Sequence, residues 1–217
     1  TARDLMEELG GDEFTTKVVL LHDSERNPAG DGLYFVRGDI TSTDDLARCG
    51  IGEAQSAIVF PADRSNEADM RSILAVMAIE SVAPTVRTVV EANNPMHVDH
   101  FRRAEADEIL VTSRLASRLL ARSALYPGLS ELVTDIVSGG EGSELYRVAL
   151  PDDYVGLSID ELSAKLRGEH HATLLAVTRD GHSLTNPKAD FRLQAGDDAV
   201  VVAESLGDLR PLELQQA

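Results

Sequence analysis

Cysteine is nearly absent. Cys49 is the only one in 217 residues, which excludes an internal disulfide and any zinc site built from several thiolates, and suits a reducing compartment. Long apolar runs are missing too: none approaches the roughly 18 residues that span a bilayer, and no signal-peptide pattern opens the chain. Positive charge is scarce, with 20 Lys and Arg against 37 Asp and Glu, a net charge of −17 and a pI near 4.6. Nucleic acid and anionic membrane surfaces repel such a protein, so nucleic acid is not an expected partner, and cations and small molecules are the natural ligands. Catalytic signatures are missing as well. There is no G-x-S-x-G turn, no Walker loop and no H-E-x-x-H helix.

What remains is an ordinary globular composition, 43% hydrophobic and 26% charged, long enough for one large or two small domains. Ala2, Leu5, Met6 and Leu9 share one helical face before Gly10. Five short, uniformly apolar runs follow: Lys17–Leu21, Leu33–Val36, Ala57–Phe60, Val86–Val90 and Glu108–Val111. Runs of this kind suit strands covered on both faces, hence a parallel sheet. Helical spacing falls between most of them, over 43–49, 65–81 and 96–105, and the alternation predicts a doubly wound α/β domain. One connection is too short for this scheme. Only eleven residues separate Leu21 from Leu33, and they include Asn27-Pro28 and Gly30-Asp-Gly32, so the crossover helix is reduced to a turn.

The pattern changes after Val111. Two amphipathic stretches, Ser113–Leu125 and Leu129–Val137, flank Tyr126-Pro127-Gly128 and predict a helix–turn–helix elbow. Gly139-Gly140-Glu-Gly142 reads as a flexible joint. Beyond it, strand runs at Leu145–Leu150, Thr173–Thr178 and Asp198–Ala203, a helix near Ile159–Leu166 and a turn at Asp180-Gly181 describe a small α+β domain. The expected organisation is therefore an α/β domain over 1–112, the elbow over 113–138 and a C-terminal domain over 139–217.

Ligands of open α/β sheets gather outside the carboxyl ends of the strands, which directs attention to the polar residues there. Asp23 follows the first strand, where a carboxylate accepts hydrogen bonds from ribose hydroxyls, and Asp39 follows the second. Asp63, Arg64 and Asn66 follow the third and face the same expected crevice. Glu91 and Asn93, after the fourth, are hard oxygen donors on alternate residues. They suit Ca²⁺ if others join, and Asp63, Glu67 or Asp69 from the neighbouring loop are candidates. Gly50-Ile-Gly-Glu-Ala-Gln55 imitates a dinucleotide fingerprint but precedes a strand and lacks the third glycine. The first strand and the true glycine turn are expected upstream of Thr1, so nucleotide or NAD binding is expected only once they are restored. His97-Val-Asp-His100 reads as a solvated helix face, His170-His171 as loop residues, and Cys49 as structural.

The ordered set Phe35-Val-Arg-Gly-Asp39, Ile58-Val-Phe60, Val89-Val-Glu-Ala92 and Ala106-Asp-Glu-Ile-Leu-Val111, followed by the elbow and by Gly196-Asp197, resembles the RCK domains that regulate conductance of K⁺ channels. Asp69-Met-Arg71, Ala124-Leu-Tyr-Pro-Gly-Leu129, Thr134-Asp-Ile136 and Glu144-Leu-Tyr146 are most similar to the CASTOR/POLLUX branch and its bacterial and archaeal relatives. The resemblance implies a Rossmann-like fold and a sensor on the cytoplasmic face of the cell membrane that does no chemistry. It implies pairing through the elbow, an octameric gating ring, a membrane pore domain on the same or another chain, and gating by Ca²⁺ or a nucleotide such as NAD. Two departures bear on the Ca²⁺ site. Phe60 and Asn93 stand where an archaeal Ca²⁺-gated relative has an aspartate and a second glutamate. A free-standing regulatory subunit of a K⁺ uptake system is the same fold with a different partner. An NAD-dependent oxidoreductase would need the intact fingerprint and a proton-transfer residue in the second domain.

Overall fold

A computed structural model describes residues 17–30, 34–138, 143–205, 209 and 212–214. The opening amphipathic stretch, Leu33 and the Gly139–Gly142 joint lie outside these residues. The chain divides into two compact units, residues 1–127 and 128–216.

In the first unit the apolar runs become short parallel strands. β1 (Val19–His22) pairs with β2 (Tyr34–Arg37), and β3 (Ser56–Val59), β4 (Arg87–Glu91) and β5 (Glu108–Leu110) form a second parallel sheet. The β1–β2 connection makes no helix over its described residues. Asn27 instead folds it into a turn, its carboxamide donating to the Gly30 carbonyl at 2.7 Å and accepting the Ala29 N–H at 3.0 Å. Three helices fill the other connections: α1 (Thr43–Arg48), α2 (Asn66–Val82) and α3 (Val98–Arg103). Each longer start has its expected signal. Ser42 and Ser65 cap α1 and α2 through their hydroxyls, and both first turns are acidic, which suits the positive end of the helix dipole. Val76, Ile79, Val90 and Phe101 lie at the centre of the core, with Leu21 of β1 packed against it, so the two sheets share one apolar interior. Burying Phe101 completely is worth about 2–3 kcal/mol.

α4 (Thr112–Leu125) ends this unit and buries none of its residues. A helix of that length is marginal in water on its own propensity, so its apolar positions call for a partner.

The second unit opens with α5 (Leu129–Val137), entered through Gly128 at φ +87°, a conformation that favours glycine. Its sheet is antiparallel, in the order β10-β6-β9-β7-β8, from β6 (Glu144–Ala149), β7 (Thr173–Arg179), β8 (His182–Thr185), β9 (Asp198–Ala203) and β10 (Glu213–Leu214). α6 (Ile159–His170) packs on β7 and begins with a capping box, in which the Ser158 hydroxyl accepts the Glu161 N–H and Glu161 accepts the Ser158 N–H at 2.8 Å. Val148, Leu162, Leu166, Val177 and Val201 form the core. Asp197, fully buried, is held by a bidentate pair to Arg179 at 2.7 Å and by the Gln194 N–H at 2.8 Å. Burial opposes its charge, and these donors outweigh that and keep its carboxyl below the usual carboxylate range. The antiparallel sheet with α6 packed on β7 has the α+β architecture expected beyond residue 139, and the compact unit also takes in α5, which the sequence assigns to the elbow.

Candidate functional site: the carboxyl edge of the parallel strands

The carboxyl ends of β1 to β4 carry one acid each, and α2 organises them. Arg71, in its second turn, lies 3.5 Å from Asp23 Oδ2 and 3.3 Å from Asp39 Oδ1. The structure therefore brings Asp23 and Asp39 together around one guanidinium. Both carboxylates remain more than half exposed, at 59% and 52%. Asp39 also accepts the Thr41 N–H and hydroxyl, both at 2.9 Å. These bonds, with Arg71 adding to them, hold its carboxyl below the usual range, so it stays ionised at neutral pH. The turn before it depends on Gly38, where an added Cβ would lie 2.6 Å from Asp45 Cγ; Asp45 in turn accepts the Asp39 N–H at 2.9 Å. Two carboxyl acceptors at neighbouring strand ends fit the hydroxyls of a ribose. Among the described residues no glycine-rich strand-to-helix turn adjoins them to cradle phosphates.

A second group surrounds the start of α2. Asp63 accepts the Ser65 N–H at 2.7 Å; the Ser65 hydroxyl and N–H together hold its carboxyl low and leave it charged. The Asn93 carboxamide donates to the Asp63 carbonyl at 2.8 Å, which fixes the loop after β4 against the loop after β3. Arg64, beside Asp63, is exposed, and its side chain makes no hydrogen bond or ion pair among the described residues. Asp69 takes a different part. It is fully buried, and both its oxygens are engaged, Oδ1 by the Asn93 N–H at 2.9 Å and Oδ2 by the Asn94 N–H at 2.9 Å and by His97 Nδ1 at 2.7 Å. It therefore orders the loop that carries Asn93 instead of facing outward. His97 is correspondingly buried, contrary to the solvated face expected of His97 and His100; only His100 is exposed.

Glu91, at the end of β4, accepts the hydroxyl of Thr112 at 2.7 Å. Thr112 is the first residue of α4, so one hydrogen bond joins the ligand edge of the sheet to the exposed helix. Glu91, Asn93 and Asp63 are hard oxygen donors suited to Ca²⁺, which usually takes six or more. Among the described residues no three His, Cys, Asp or Glu side chains converge into a metal group, so other oxygens, such as backbone carbonyls or water, would have to complete the shell. Sequence reasoning missed Arg71 and Thr112 as site residues. The helical spacing of Arg71 from the cap at Ser65 was the available signal for the first, and nothing marked the second. Cys49 is half-buried at the end of α1, where burial pushes its thiol up and disfavours the reactive thiolate.

The model of the TrkA-N domain matches residues 1–112. Over 209 residues the chain is 24% identical to the calcium-gated potassium channel TvoK of Thermoplasma volcanium, covering 94% of this chain and 59% of the relative. Over 179 residues it is 27% identical to the probable ion channel POLLUX of Oryza sativa subsp. japonica, covering 79% and 18%. The chain thus spans less than two thirds of either relative. In fold it is similar to the human SLO3 gating ring, with a TM-score of 0.75 and 18% identity over 98% of this chain and 44% of that one. Among the described residues no helix is long and apolar enough to cross a membrane.

Proposed function

The chain belongs to the TrkA-N domain family, and on that premise we propose that it is a ligand-sensing regulatory domain of a potassium channel. It acts on the cytoplasmic face of the membrane and works by binding, not by catalysis. Its ligands gather at the carboxyl edge of the parallel strands. Glu91, Asn93 and Asp63 would hold Ca²⁺, which supplies neutralising charge there, with Asp69 as the positioning residue behind them. Asp23 and Asp39 would accept the ribose hydroxyls of an adenine nucleotide or NAD, with Arg71 balancing their charge and Arg64 free for an anionic group. Two copies pair through the elbow of residues 113–137, and paired copies build an octameric ring against a pore domain on the same or another chain.

The observation that carries this reading is the Glu91–Thr112 hydrogen bond. Glu91 has one carboxylate to divide between the ligand edge and the first residue of α4, so occupancy at the edge bears on the helix that pairs copies. Calcium titration by calorimetry in ~0.15 M KCl tests it, because that salt screens the diffuse attraction of a −17 chain. The wild type is expected to give saturable heat, with Glu91→Gln and Asp63→Asn each weakening binding about tenfold or more, as removal of a charged ligand does. Identical isotherms for all three proteins would remove the site, and a wild type without saturable heat would remove Ca²⁺ as its ligand.

A further inference from the structure

Residues 109–130 contain three arginines and no acid, in a chain with 37 acids. Arg114, Arg118 and Arg122 recur every four residues on α4 and form one exposed row roughly 12 Å long at 1.5 Å rise per residue. α5 carries the opposite pattern. Glu131 and Asp135, also four apart, are exposed, so their spacing along the axis matches that of the arginines. None of these five side chains makes an ion pair or hydrogen bond among the described residues. Exposed leucines accompany the rows, Leu115 at 60% on α4 and Leu132 at 53% on α5. Two surfaces that are each apolar along one strip, each charged along the next, and opposite in sign are complementary to each other.

From this we infer that the arginine row of α4 pairs with the acidic row of α5 on a second copy, and that this pairing selects the partner. Arg114, Arg118 and Arg122 of one protomer face the partner's Glu131 and the partner's Asp135. Two-fold symmetry then makes the same contact twice, because each copy offers one row of each sign. The arrangement also answers a general difficulty. Two chains of −17 repel one another, and the acid-free stretch 109–130 is where a second acidic surface approaches at least cost. Charges at the margin of an apolar seam set register and partner choice more than total affinity, as in paired helices with charged flanks. The inference rests on the dimer proposed above and adds what recognises what within it.

The test is a charge exchange in the full chain. One variant carries Glu131→Lys and Asp135→Lys, the other Arg114→Glu, Arg118→Glu and Arg122→Glu. All five positions are exposed, and circular dichroism matching the wild type confirms that each variant folds. Self-association is measured by sedimentation in 0.15 M KCl, alone and mixed. Each variant alone should dimerise about tenfold or more weakly than the wild type, since its two rows carry one sign. Their mixture should form a mixed dimer within about threefold of wild-type affinity, because every facing row is again opposite in sign. A control reversal at Asp152 and Asp153, which belong to neither row, should leave the homodimer within threefold of wild type. Variants that each dimerise as the wild type does, or a mixture no tighter than either variant alone, would overturn the pairing while leaving the dimer standing. A wild type that stays monomeric at 100 µM would overturn both.

Discussion

Asp69→Ala should cost the first unit about 3–5 kcal/mol, the loss typical of breaking a buried charged network by removing one partner. The carboxylate is fully buried and accepts from the Asn93 N–H, the Asn94 N–H and His97 Nδ1. Alanine leaves two part-buried peptide donors and a buried imidazole without their shared acceptor, and each donor left unpaired costs about 1–3 kcal/mol. Thermal unfolding followed by circular dichroism should show the first transition fall by roughly 12–20 °C, at about 4 °C per kcal/mol for a unit of this size. Asp69→Asn should recover about half of the loss, because its carboxamide oxygen still accepts one peptide N–H. The loss of order should extend to Asn93, whose backbone depends on Asp69 directly. A midpoint unchanged by alanine would mean that the loop after β4 is held by something else.

Leu132→Asp should convert a dimer into a monomer while leaving the fold in place. Leu132 is 53% exposed on α5, so an aspartate there is well hydrated in the single copy. Across a paired interface the same carboxylate would be taken out of water in the apolar seam, beside the charged margin instead of within it. The dissociation constant of the dimer should rise by about a hundredfold or more, roughly 2.8 kcal/mol. Light scattering at micromolar concentration should show the mass halve, and the thermal transitions should fall only by the amount that loss of the partner explains. An unchanged mass would mean that Leu132 faces solvent in the assembled protein.

How much of this was legible in the sequence depends on whether a feature is local or lateral. The parallel strands were legible because Ala57–Phe60 is apolar without alternation and Val86–Val90 is rich in β-branched residues, and β3 and β4 fall within a residue of those runs. α2 was legible from its apolar spacing and from Ser65. Asp23 and Asp39 could be named because a strand end fixes which edge its next residue joins. Arg71 could not be linked to them, since that contact spans 48 and 32 positions in the chain and depends on the lateral distance between two sheets. Asp69 looked like an outward ligand because its loop is polar. Its burial is set by two peptide N–H groups and by His97, all more than twenty positions away. β8 escaped notice beyond its Asp180-Gly181 turn because all four of its residues are exposed, which leaves no apolar alternation to read.

Potassium flux through vesicles that hold this chain together with the pore domain proposed for it is the decisive measurement. The account predicts that flux differs at least about tenfold between Ca²⁺-free and millimolar Ca²⁺ solutions, the scale of an ordinary allosteric coupling. Glu91→Gln should move the half-effective Ca²⁺ concentration by a similar factor. A wild-type flux indifferent to Ca²⁺, or a Glu91→Gln protein with the wild-type midpoint, would contradict it.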